Sequence, residues 1–173
     1  MAAFRKADGT IKAVAVDGRA TYAQGIQVVL GALAADLEVV EVALTCEDAL
    51  DAILEHSPDV VLIGAHVPGT DGLQIAAAVR SHFPAVKILM LSPSPSPHEA
   101  SRAMRIGVNG YLHRDCDVDE LVAAIRALMA GEIAIATPAV DALFSKNGST
   151  LLHQDFSRQR AAIGIRKGGE FND

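Results

Sequence analysis

Aromatic side chains make up only 4% of the 173 residues, and tryptophan is absent. With so few large rings, Ala, Val, Leu and Ile must build the core, and half of the chain is hydrophobic. No apolar run approaches the ~18 residues that a membrane-spanning helix needs. The opening "MAAFRKADGT" lacks the apolar middle of a secretory signal. These absences lead to the expectation of a cytoplasmic protein with no membrane part. Cysteine is scarce too: Cys46 and Cys116 lie far apart, match no metal-ligand spacing and read as ordinary thiols. A formal net charge of −6 argues against a chain-wide nucleic-acid footprint but leaves room for a local basic patch.

What is present is a regular alternation of aliphatic runs and amphipathic stretches. "IKAVAVD" (Ile11 to Asp17) reads as a buried strand ending in an acid. In the next stretch Ile26, Val29, Leu30 and Leu33 recur at helical spacing. "LEVVEVAL" is a second strand, and Thr45 is placed to cap the helix "CEDALDAILEH". Pro58 ends that helix, and "DVVLIG" is the third strand. Asp71 can cap "GLQIAAAVRSHF", which Pro84 stops. "VKILMLS" is the fourth strand, followed by a Pro-Ser run, a short helix and the brief fifth strand "NGYLH". "DVDELVAAIRALMAG" is the strongest helix, with Leu121, Ile125 and Leu128 on one face and Gly131 at its end.

Five strands alternating with five helices predict an α/β fold: a doubly wound, five-stranded parallel sheet flanked by helices. The expected organisation is an N-terminal extension over 1–10 and the α/β domain over 11–131. A linker with room for one short helix follows over 132–150. Residues 151–173 read as a flexible tail holding no complete DNA-binding domain.

The order of elements then meets specific words. "DVVLIGAHVPGTDGLQIAAAVR" and "GVNGYLHRDCDVDELVAAIRALMAGE" resemble the receiver domain of response regulators, the (βα)5 CheY-like fold. In detail they resemble receivers joined to a LuxR-type helix-turn-helix. The resemblance covers about two thirds of the chain and implies a two-component signalling protein that regulates transcription. In that family an aspartate ending the third strand accepts a phosphoryl group, and acids after the first strand help to hold Mg2+. A strand-four hydroxyl and a strand-five lysine hold the phosphoryl group, and the hydroxyl contact draws an aromatic on strand five inward.

Carried over by position, the phosphoacceptor is Gly64 and the acid pair is Asp17 and Gly18. The switch hydroxyl is Ser92, the aromatic is Tyr111, and the lysine position is Arg114. Gly64 has no carboxylate to phosphorylate, and one acid alone holds a hard divalent cation weakly. The resemblance therefore implies an atypical receiver with no catalytic residue, no metal and Mg2+ binding weak or absent. Such a protein would act through protein contacts, as a homodimer or with a signalling partner, and would reach DNA only through an output domain. One alternative expectation is a sensor that binds an anionic small molecule in the vacated acid pocket, where Arg114 would supply a salt bridge to Asp17 or to the anion; the other is a DNA-binding transcriptional regulator whose helix-turn-helix is missing from this chain.

Overall fold

The structure, a computed structural model, describes residues 9–136. Alternation of strands and helices proceeds as the sequence patterning predicts. In chain order the elements are β1 (Ile11–Val16), α1 (Ala20–Leu33), β2 (Leu37–Ala43), α2 (Cys46–His56) and β3 (Val60–Gly64). Next come the two-residue strands β4 (His66–Val67) and β5 (Thr70–Asp71), then α3 (Gly72–His82), β6 (Lys87–Ser92) and α4 (Pro97–Ile106). The last are β7 (Gly110–His113), α5 (Val118–Met129) and β8 (Ala134–Ala136).

The main sheet is parallel throughout, with strand order β2-β1-β3-β6-β7-β8. Period-two alternation splits its aliphatic strands between two cores. Val14, Val16, Val61, Ile63, Ile88, Met90 and Tyr111 pack on one face, against α2, α3 and α4. Ala13, Ala15, Val60, Leu62, Leu89, Leu91 and Leu112 pack on the other, with α1 and α5. Strands buried on both faces explain why the runs read as continuously apolar rather than alternating.

Helix ends follow their sequence signals. Thr45 Oγ1 accepts from the Asp48 amide (3.1 Å), and Asp71 Oδ1 accepts from the Gln74 amide (2.8 Å). The Pro-Ser run supplies the start of α4: Ser96 Oγ accepts from the Glu99 amide, and Pro97 occupies the first turn. In α1 the buried positions are Ala23 and Leu30, whereas Leu33 is 70% exposed, so that helix turns a narrower face to the sheet than its periodicity suggests.

Two features go beyond the five-strand expectation. First, β8 adds a sixth parallel strand, pairing Gly110 with Ala134 and Tyr111 with Ile135. It falls within the stretch expected to be linker; the short helix expected beyond it and the tail lie outside the described residues. Second, the Pro-Gly turn after β3 is a small antiparallel ribbon, β4 with β5. Gly69, at φ +78°, makes its tight turn.

Gly72 marks a close approach that fixes this region. A Cβ there would run into the Gly64 carbonyl oxygen and lie 3.1 Å from the Ala65 Cα, both backbone atoms that cannot swing aside. The Gly72 amide also donates to the Ala65 carbonyl (3.0 Å). Gly72→Ala is therefore expected to lower the unfolding free energy by about 1–3 kcal/mol, the range for overpacking a filled interior. Urea denaturation with an unchanged m-value measures it.

Candidate functional site

The strand order reverses direction between β1 and β3, and a parallel sheet opens a crevice at such a point beyond its strands' C-terminal ends. Asp17 immediately follows β1, and Gly64 ends β3. The sequence-predicted pair is thus brought together at the mouth of the crevice.

The crevice is not vacant at either glycine. Asp17 is 4% exposed, and its carboxylate fills the volume over Gly64. A Cβ on Gly64 would collide with Asp17 Oδ2 and lie 2.9 Å from its Cγ. The other carboxylate oxygen, Oδ1, accepts from the Arg19 amide (2.8 Å) and from Arg19 Nε (3.4 Å). At Gly18, a Cβ would collide with Pro68 Cδ and lie 3.2 Å from the His66 carbonyl oxygen. Neighbouring groups thus occupy the volume that a side chain at Gly64 or Gly18 would need.

The same geometry bears on Mg2+. That ion demands near-octahedral oxygen coordination. The crevice offers one carboxylate, Asp17, with one oxygen already committed to N–H donors, and no second acid from Gly18 or Gly64. These residues do not fit the ion.

Above the crevice lies an open cleft of about 650 Å³ beside the β4–β5 ribbon. Its polar lining is mixed: Arg19, Arg102 and His66 lie with Asp71 and Glu99. His66 is exposed on the ribbon.

Ser92 ends β6 and Tyr111 lies on the neighbouring strand β7. Both are buried, at 1% and 0% exposure, on the sheet face that carries α4. Ser92 Oγ donates to Glu99 Oε2 (3.4 Å) and accepts from the Ser94 amide (3.3 Å). The Tyr111 hydroxyl lies near Ser92 and Glu99 but makes no hydrogen bond of good geometry. Burial, together with the Glu99 charge, holds this phenol well above the ordinary tyrosine range. Because the hydroxyl is buried without a partner, Tyr111→Phe should leave the thermal midpoint unchanged or raise it. A fall of several degrees in a calorimetric scan would show that the hydroxyl is bonded after all.

Arg114 departs from its expected partner. It does not pair with Asp17; its nearest carboxylate is Asp115, Nε to Oδ1 3.6 Å. The guanidinium instead lies over the Tyr22 ring, 4.3 Å from ring centre, while the Tyr22 hydroxyl donates to the Arg114 carbonyl (2.8 Å). Arg114 lines the cleft between α1 and α5 rather than the one above Gly64. The bond from the Arg114 amide to the Ser92 carbonyl fixes the backbone just beyond β7, so the side chain is directed across to α1.

Cys116, in the same cleft, is half-buried. Burial pushes its thiol up to about 12, with Glu120 and Asp117 adding to the rise. At pH 8 iodoacetamide should therefore alkylate native Cys116 on the order of 100-fold or more slowly than the unfolded chain's thiols. Peptide mass mapping after timed quenching checks this.

Two clusters escaped sequence reading because their members are distant in the chain. Glu41, Glu55 and His56 bring donor atoms within 4.8 Å of one another, and His56 Nε2 lies 2.7 Å from Glu41 Oε2. Arg80 gathers the carbonyls of Gly107, Pro84 and Val86 and the side-chain oxygen of Asn109. No local sequence signal announces either one. Among the described residues no helix is long and apolar enough to cross a membrane.

A parallel, doubly wound sheet with a strand-end crevice, a buried strand-four hydroxyl and an inward strand-five aromatic defines a signal-receiver fold. The family model of the response regulator receiver domain matches residues 13–126. The chain belongs to that family. It is 34% identical over 130 residues to the transcriptional regulatory protein DesR of Bacillus subtilis, covering 72% of this chain and 64% of DesR. It is 32% identical over 133 residues to the probable transcriptional regulatory protein NarL of Mycobacterium tuberculosis, covering 77% of this chain and 61% of the relative. The chain thus matches somewhat under two thirds of the length of these curated relatives. Among solved structures, a LuxR-family two-component response regulator from Aurantimonas superposes with TM-score 0.74 at 25% identity. That alignment covers 79% of this chain and 97% of the other. The receiver domain of the M. tuberculosis NarL superposes with TM-score 0.66 at 32% identity, covering 71% and 98%.

Proposed function

We propose that this receiver works without phosphorylation, as a cytoplasmic module of transcription control that signals through protein contacts, its own homodimer included. The observation that carries this reading is at Gly64. The position of the family's acceptor carboxylate has no side chain, and the volume that side chain would occupy is filled by Asp17. A nucleophile and a metal-binding acid pair are missing together.

The switch residues support the same reading. The family's hydroxyl and aromatic are drawn together by phosphorylation, whereas here Tyr111 is already fully buried. The Glu99 carboxylate, supplied by α4 itself, accepts from Ser92. An internal carboxylate thus takes the contact that a phosphoryl oxygen would make, and α4 is held in one position. The short, Ser96-capped and proline-started entry to α4 reinforces that position. DesR and NarL are named as transcriptional regulatory proteins, which supports a role in transcription control, with any DNA contact made through an output domain.

Incubation of the full chain with acetyl phosphate and Mg2+, followed by intact-mass measurement, tests the proposal. The expected spectrum shows unmodified protein only. An acid-labile gain of one phosphoryl group would defeat it.

A further inference from the structure

The cleft between α1 and α5 holds a guanidinium that no hydrogen bond engages among the described residues. It is an open cleft of about 290 Å³ lined by Ile26, Leu30, Leu91 and Leu121 together with Tyr22 and Arg114. At roughly 30 Å³ for each water-sized group, that is room for about ten.

Among the described residues Arg114 is the only charged one in the wall, and its side chain is 14% exposed. Among the described residues no hydrogen bond engages its guanidinium, and the Nε is buried without an acceptor. Asp115 stands 3.6 Å away with its own carboxylate 73% exposed, so solvent screens much of that attraction. The ring of Tyr22 fixes the guanidinium plane from one side, and Arg19 stacks on the same ring at 5.2 Å. None of the wall's other polar groups supplies a negative charge: the Thr21 hydroxyl does not ionise, and burial raises both the Tyr22 phenol and the Cys116 thiol, so they stay neutral at physiological pH.

A fixed, half-desolvated guanidinium is the donor fork that suits a carboxylate, and the wall beyond it suits a hydrocarbon body. From this combination we infer that the α1–α5 cleft is a binding site for a small monocarboxylate with an apolar body, such as a medium-chain or aromatic acid. The carboxylate binds Arg114, and the apolar part lies along Ile26, Leu30 and Leu121. Leu33 lies beyond this wall on α1 and is exposed, offering further apolar surface to a longer body. The site is separate from the crevice at Gly64, and its occupancy does not depend on whether the chain is phosphorylated.

Titration of the full chain with sodium octanoate, followed by thermal shift and by ligand-observed NMR, tests the inference, with octanol as the uncharged counterpart. Saturable stabilisation is expected, with octanol at least tenfold weaker. Arg114→Gln should remove that preference for the acid, and Ile26→Trp, which fills the cleft, should abolish binding of both probes. Far-UV circular dichroism identifies a variant that fails to fold, and the octanoate-to-octanol ratio on the native chain then decides alone. Equal affinity for acid and alcohol, or no saturation at all, overturns the inference. So does sedimentation showing that a second copy covers α1 and that octanoate gains no access to it.

Discussion

Gly64→Asp will not restore phosphate acceptance; it will lower the unfolding free energy on the order of 3 kcal/mol at pH 7. The new Cβ enters the volume of the Asp17 carboxylate, whose Oδ1 is tied to the Arg19 amide and cannot leave without giving up that bond. Two carboxylates would then share one buried site with no metal to neutralise them. Like charge and burial both raise the folded-state pKa of the introduced acid above its unfolded value. The folded state therefore holds more protons than the unfolded state between the two values, and stability falls as pH rises through that window. The deficit should be smaller at pH 4 than at pH 7.

The neighbouring residue separates the causes. Asp17→Asn in the Gly64→Asp background removes charge but not bulk, and should flatten the pH dependence while leaving the steric part. Asp17→Ala should relieve both. Urea denaturation of the native chain, the single variants at positions 17 and 64 and the two double variants, at two pH values, completes the cycle. Additive losses would show that Asp17 and position 64 do not share space.

The second large effect is expected at Arg80. Arg80→Ala should lower stability by about 2–4 kcal/mol, seen as a fall in the urea midpoint without a change in slope. One guanidinium donates to Gly107 through Nε and Nη2, to Pro84 (2.6 Å) and Val86 (3.0 Å) through Nη1, and to Asn109 Oδ1 (2.8 Å). It ties the end of α3 to the turns that enter β6 and β7. Asn109 continues the network, accepting from the Ile88 amide (2.9 Å) and donating its own amide to the Ile88 carbonyl. Lysine cannot serve four oxygens spread around a plane, so Arg80→Lys should recover less than half of the loss. Amide exchange should quicken at Gly107, Val108 and Asn109 before the sheet centre in either variant.

The fold was legible because each element carries its own signal within a few residues. The aliphatic runs at Val60 and Ile88, the caps at Thr45 and Asp71 and the stop before Pro84 all act locally. β8 gave no such warning: three residues, Ala134–Ala136, are too few to show a period, and their place is set by the exposed edge of β7. The β4–β5 ribbon is likewise only two residues on each side.

At the site, sequence could place Asp17, Gly64, Ser92 and Tyr111 near one another because each sits at the end of, or within, a strand of known order. It could not show what entered the space that the glycines left. Asp17 over Gly64 and Pro68 against Gly18 are contacts between segments about 50 residues apart. Arg114 was assigned to the acid crevice by position, yet its partner is Tyr22, 92 residues away in sequence. Residue identity carried the charge; only packing decided which cleft received it.

The sixth strand has a mechanical meaning. Because β8 runs parallel to β7, the chain at Ala136 leaves the sheet from the same end as the Asp17–Gly64 crevice. A tug on the chain there would be borne by the bonds joining β8 to β7. Tyr111 is paired directly with Ile135 across that seam. The strand that carries the buried ring is thus the anchor plate for whatever is attached beyond it.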